Sequence, residues 1–345
     1  MNEVTKYQQI TIHNNSDHLE DWKNLYFEIE VSTSKNSREA QFRELSRFIE
    51  WMINETSNDL KNQWSARLTS TFIDHLKSTY KDDGSRQYSD RSINRLLYHL
   101  KTWATWVNKK SPFPLGCPTS KIKPIRIDNL LETEKAISEQ QRRLLLDAAD
   151  MLIVQGGLSK DRNRFKEIKD RPKRKSFRPY RNRAIVYMLI ETGMRRAGAV
   201  NLRLSDIDAS KRRITTTEKG GCLHTYKISK QGMNTINDYI ENERINDSKK
   251  WYHSNHLFLP SSSVSKGKGY LTNCVINTIW NNLCQSINIK NVTPHSARHA
   301  MGRHIMKSTG NVAAIQRQLG HRNATYSLQY SRITDDELEK VMDDR

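Results

Sequence analysis

The chain has 345 residues, with 57 lysines and arginines against 38 aspartates and glutamates, a formal net charge of +19. That length suits about two domains, and the charge excess points to a large polyanion as partner. A membrane role is excluded as an expectation, because the most apolar run, Ala184–Ile190, is far shorter than the ~20 residues of a spanning helix.

The N-terminus is polar and mixed in charge, without the apolar core of a signal peptide, so a cytoplasmic, nucleoid-associated protein is expected. Cys117, Cys222, Cys274 and Cys284 are scattered, with no zinc-knuckle or redox spacing, and read as reduced thiols. From Ser37 to Glu55, apolar residues at Phe42, Leu45, Phe48, Ile49 and Met52 recur at helical spacing and predict one buried stripe. A second stripe follows at Leu68, Phe72, Ile73 and Leu76. A third, after Ser89 as N-cap, runs through Ile93, Leu96, Leu97, Leu100, Trp103 and Trp106. Residues 1–115 therefore read as a helical domain. Pro112, Pro114, Pro118 and Pro124 then disfavour helix, and residues 116–137 are taken as a linker.

Residues 138–345 form the second expected domain. Ser138 with Gln141 gives a capping-box pattern leading into Leu144, Leu145 and Met151. Next comes a basic segment that includes Arg162, Arg164, Lys173, Arg174, Lys175 and Arg178. It reads as a solvated loop or as an arm lying on phosphates, where such charge adds affinity but no sequence information. Ala184–Thr192 predicts a buried helix that turns at Gly193. Arg213–Thr217 and His224–Ile228 flank Gly220 and Gly221 and predict a hairpin. Helices are expected after Ser229 and after Thr272, around Arg298–Lys307, and over Val312–Leu319. The fold class is thus mainly α with a small antiparallel sheet.

Taken singly, the polar residues of this half are ambiguous; their order is informative. Thr192-Gly193-Met194-Arg195 puts an arginine just past a glycine break, and a guanidinium donates two parallel hydrogen bonds to an oxyanion. His295-Ser296-Ala297-Arg298 follows Pro294 at an expected helix start, with His295 and Arg298 facing one side. Leu319-Gly320-His321 precedes Tyr330, while Tyr326 lies only five residues after His321. Together these motifs resemble the tyrosine recombinase, or phage integrase, family. Lys219, on the hairpin turn Glu218-Lys219-Gly220-Gly221, stands where that family carries a lysine. A metal reading of His295 and His299 lacks an acidic partner.

The resemblance implies a helical core-binding domain plus a mixed α/β catalytic domain, with Arg195, Lys219, His295, Arg298, His321 and the nucleophile Tyr330 as catalytic residues. Arg195 and Arg298 would clamp the phosphate, with His321 as a further donor; His295 would accept the phenol proton, and Lys219 would protonate the leaving sugar oxygen. It further implies a 3′-phosphotyrosyl intermediate on double-stranded DNA, no metal, cofactor or ATP, a homo-tetramer on paired sites, and accessory DNA-bending proteins as candidate partners. The tail after Tyr330, capped by Thr334 and carrying Leu338, Val341 and Met342, would pack on its own or a neighbouring subunit. Many members carry an acid three positions after the first arginine, where Gly198 stands here. The competing readings are a type IB topoisomerase-like enzyme, a DNA-binding protein without catalysis, and an unrelated helical nucleic-acid binder.

Overall fold

A computed structural model of the chain describes residues 17–31, 34–127, 137–156, 174–218, 221–321, 323–328, 330 and 342–343. The chain divides into two compact units at residues 129/130. The first is built from α1 (Leu19–Ile29), α2 (Lys35–Thr56), α3 (Ala66–Ser78) and α4 (Asp90–Lys110). The predicted stripes face inward: Phe48, Met52, Phe72, Leu97, Leu100 and Trp103 are all buried, around Trp22 and Trp64. Phe42 departs from its stripe. It is exposed at the unit's margin, set edge-on against Phe27 and beneath the Lys23 ammonium. Ser89 caps α4 as expected, its hydroxyl accepting from the Ser92 N–H.

The proline-rich stretch packs against this first unit as far as Ile125. Proline-broken backbone cannot close its hydrogen bonds within a helix, so partners must come from side chains. Asn94 supplies them twice, donating to the Ile125 carbonyl and accepting from the Ile125 N–H, each at 2.8 Å. Thr69 donates to the Pro118 carbonyl at 3.1 Å, while Cys117, Ile122 and Ile125 lie against the core.

The second unit begins with α5 (Glu139–Gln155), whose Ser138–Gln141 capping box is formed in both directions. It continues with α6 (Pro179–Thr192), α7 (Arg196–Asn201) and a three-stranded antiparallel sheet in the order β1 (Ile207–Asp208), β2 (Arg213–Thr217), β3 (Leu223–Lys227). Ile214 faces Tyr226 across β2 and β3. Then follow α8 (Lys230–Tyr239), a π-helical turn over Ile240–Arg244, α9 (Ile245–Lys250), α10 (Asn273–Ser286), α11 (Pro294–Thr309), α12 (Val312–Leu319) and α13 (Thr325–Leu328). Ser229 and Thr272 cap α8 and α10. The fold is mainly α with one small sheet, as the sequence predicts.

Over Ala184–Ile190 helix α6 is buried on every side, which suits a central helix, and α5, α8 and α11 surround it. Arg183 fastens it laterally, donating to Asp150 of α5 at 2.6 Å and to Asp238 of α8 at 2.7 Å. Of the apolar residues expected to bury on α5, Leu145 does, whereas Leu144 and Met151 are exposed. In the first unit Leu100 is fully enclosed. Leu100→Ala should lower that unit's unfolding free energy by about 2–5 kcal/mol, measured by urea denaturation.

Candidate active site

The Thr-Gly-x-Arg motif ends α6. Thr192 donates to the Met188 carbonyl at 2.6 Å and accepts from the Met194 N–H at 3.0 Å, closing the helix end. Gly193 has φ +66, and a Cβ there would come within 2.7 Å of Leu319 and 3.1 Å of Met301. Only glycine meets both demands. The chain re-enters helix at α7 with Arg195 as N-cap residue; its guanidinium, 36 % exposed, donates to Glu218 at 2.7 Å.

On α11 the burial pattern separates two histidines four residues apart. His295 is exposed, whereas Arg298 and His299 are buried, at 2 % and 6 %. His295 and Arg298, one turn apart on α11, thus differ in burial: the arginine lies inside and the histidine at the rim. Arg298 donates to the Gly193 carbonyl at 2.7 Å and to the Leu319 carbonyl at 2.5 Å. Both carbonyls lie at helix C-termini, where the backbone dipole favours a cation. Burial, and then Arg195, lower the Arg298 pKa.

Tyr330 is 5 % exposed and lies on α11 at Gly302, where a Cβ would strike its ring at 2.7 Å. Its hydroxyl is 3.1 Å from Nδ1 of His299. The His299 and His295 rings meet edge to face with centroids 4.6 Å apart. His299, which sequence reasoning had not assigned a role, is thus in hydrogen-bond reach of the phenol and in ring contact with His295. His321 lies nearly parallel to Tyr330, with ring centroids 6.3 Å apart, and is hydrogen-bonded through Nδ1 to the Ser327 hydroxyl at 2.8 Å. Burial, followed by Arg298 and Arg195, pushes its pKa down to about 4. Gly320, at φ +66, permits the close approach of the His224 ring from β3. Tyr326, by contrast, is 63 % exposed.

Residues 161–337 match the family model of the phage integrase family. The chain belongs to this family, the tyrosine recombinases. Tyrosine recombinase XerS of Streptococcus thermophilus is 24 % identical over 366 residues, covering 94 % of this chain and 97 % of that protein. Tyrosine recombinase XerD of Chlamydia pneumoniae is 30 % identical over 159 residues, which are 46 % of this chain and half of that relative's length. Among solved structures, the Tn1549 transposon integrase in complex with transposon right end DNA aligns with a TM-score of 0.67 at 15 % identity, over 93 % of this chain and 97 % of that one. The XerH site-specific recombinase bound to palindromic difH substrate gives 0.67 at 14 % identity, over 89 % and 79 %. Those two likenesses establish the fold.

In this recombinase Lys219 falls outside the described residues, as do Arg162, Arg164, Lys173 and the expected tail helix from Asp335 onward save Met342, which is exposed. Arg174 and Lys175 are exposed. Arg178 is engaged inside the protein: it grips the fully buried Asp247 with two hydrogen bonds of 2.7 Å, so an internal carboxylate occupies the fork expected to meet DNA. Sequence reasoning did not single out His299 or Glu218 as site residues. The first carried a signal, its position four residues after His295 on one helix; the second had only its place beside Lys219. No described helix is long and apolar enough to cross a membrane, and no group of three potential metal ligands gathers among the described residues.

The lowered pKa of His321 makes its neutral form the stable one in the folded unit. Its contribution to stability is full above pH 6.5 and declines as pH falls through about 4. His321→Gln cannot titrate, so the wild-type advantage over this variant should shrink between pH 7 and pH 4 in pH-resolved urea unfolding.

Proposed function

We propose that the chain is a site-specific DNA recombinase that cuts and rejoins strands through a 3′-phosphotyrosyl link to Tyr330, with no metal and no ATP. The observation that carries this reading is the meeting of three separated motifs around one tyrosine: Arg298 bonded to the carbonyls of Gly193 and Leu319, His321 parallel to the Tyr330 ring, and His299 on its hydroxyl.

The chemistry follows from charge. A phosphodiester resists attack because its oxygens are already anionic, and more charge accumulates as a fifth oxygen nears phosphorus. Arg195 and Arg298 are suited to meet that charge with fixed N–H donors, the service a metal would otherwise provide. The guanidinium of Arg298 has five N–H groups, so its two carbonyl bonds leave donors for a phosphate oxygen. His321, neutral at pH 7 by its lowered pKa, adds a hydrogen-bond donor without adding a charge.

Forming a free phenolate from a tyrosine of ordinary pKa costs about 4 kcal/mol at pH 7. His299, in hydrogen-bond reach of the hydroxyl, takes the proton as oxygen attacks phosphorus, and His295 at the rim assists from the solvent side. Lys219 protonates the departing 5′ oxygen. The phosphotyrosyl ester keeps the energy of the broken bond, so reversal by a new 5′-hydroxyl reseals DNA without ATP. Exchange between two duplexes requires several such sites, hence a homo-tetramer on paired DNA sites, with accessory DNA-bending proteins where the sites must be brought together.

A nicked trapping substrate resolved on denaturing gels tests the nucleophile. Wild type and Tyr326→Phe should give a covalent protein–DNA band and Tyr330→Phe none; absence of the band from wild type on DNA that it binds site-specifically would make the chain a non-catalytic DNA-binding protein. In the same assay His299→Ala should slow adduct formation by about 100-fold, and a rate equal to wild type would return the proton acceptor role to His295.

A further inference from the structure

The Glu218 carboxylate is 7 % exposed, and no group of three potential metal ligands gathers among the described residues. It accepts from Arg195 at 2.7 Å through Oε2 and from the Tyr226 hydroxyl at 2.5 Å through Oε1. Burial raises its pKa, but the hydrogen bonds from Tyr226 and Arg195 outweigh that and the net shift is downward, so the group is anionic at neutral pH. The third neighbour is decisive: a Cβ built on Gly198 would lie 3.3 Å from Oε1 of Glu218 and 3.6 Å from Thr216. The hairpin carboxylate thus stands against the one position of α7 that has no side chain.

We infer that Glu218 is the positioning residue for Arg195, an acid delivered from the hairpin into the space that Gly198 leaves open on α7. This rests on the recombinase reading above and deepens it. An arginine only partly buried samples many rotamers, and fixing it in advance removes that entropy from the attack step. The ion pair engages one terminal nitrogen of Arg195 and leaves the others for a phosphate. It has a second effect through the chain itself. Glu218 directly precedes Lys219, and its own backbone is fixed, with its N–H donated to the Cys222 carbonyl at 2.8 Å and its carbonyl accepting from Gly221 at 3.0 Å. The carboxylate therefore ties the end of β2 to the arginine proposed to hold the phosphate. Gly198 and Glu218 form one device: an acid at either position can reach the guanidinium, and the space accommodates one of them.

The test is relocation of the acid. Adduct formation on the nicked substrate, DNA affinity and thermal melting are measured for wild type, Glu218→Gln, Glu218→Ala, Gly198→Asp, and Gly198→Asp combined with Glu218→Ala. Glu218→Ala and Glu218→Gln should slow adduct formation by about 100-fold with DNA affinity near wild type. The double variant should recover about tenfold or more of that loss, which restored folding alone would not produce. If Glu218→Ala is too unstable to purify, Glu218→Gln and the double variant decide. Cleavage by Glu218→Gln at the wild-type rate, or a folded double variant no faster than the single Glu218 variants, overturns the inference while the recombinase reading stands. A wild-type protein that binds its site and forms no adduct overturns that reading and this inference with it.

Discussion

The second unit is organised around a buried guanidinium. Arg298 is almost inaccessible to water, and a cation in that setting would be strongly destabilising unless its N–H groups found acceptors. The acceptors are the carbonyls of Gly193 and Leu319, which sit where α6 and α12 end and would otherwise need capping. One side chain thereby satisfies two helix ends and joins three segments remote in sequence. Replacing it would remove the proposed phosphate ligand and also the bonds that join the helix ends next to Arg195 and His321. Loss of activity in an Arg298 variant therefore measures architecture and chemistry together.

The glycines of the motifs serve this same constraint. Gly193 allows Leu319 and Met301 to reach the end of α6, Gly302 allows the Tyr330 ring to lie on α11, and Gly320 allows His224 to bring β3 against the end of α12. At each, an added methyl group would hold apart two elements that must touch for the site to close. The family signature around Arg195 and His321 is in this sense a packing signature as much as a chemical one. Gly198 differs in kind, since what approaches it is a carboxylate.

Helices whose apolar residues repeat at threes and fours, and whose ends carry Ser89, Ser138, Ser229 or Thr272 as caps, were legible in the sequence because both signals are local. Helix α1 was not, as His18 offers no side-chain cap to mark its start. The two residues of β1 are too few to show a period. Within the site, order and residue type identified Arg195, Arg298, His321 and Tyr330 as a set. The approach of His299 to the phenol was hidden, because it depends on Arg298 being buried and on the Tyr330 ring lying at Gly302. The engagement of Arg178 by Asp247 was equally hidden, because the partner lies 69 residues away.

The distribution of acids explains how so basic a chain keeps particular arginines fixed. Arg178 and Arg183 are matched by Asp247, Asp150 and Asp238 and remain mostly enclosed, so their charge serves the fold and adds little to the field seen by DNA. Arg195 is matched as well, but more than a third of its side chain stays open to solvent. A partly exposed ion pair is worth little as a stabilising contact. Its value here is geometric, since it limits the arginine to orientations in which the unpaired N–H groups stay available. The same pairing also sets a constraint on evolution of the site: an acid could move between residues 198 and 218 with little change in charge, but losing both would remove the carboxylate that the described residues set on Arg195.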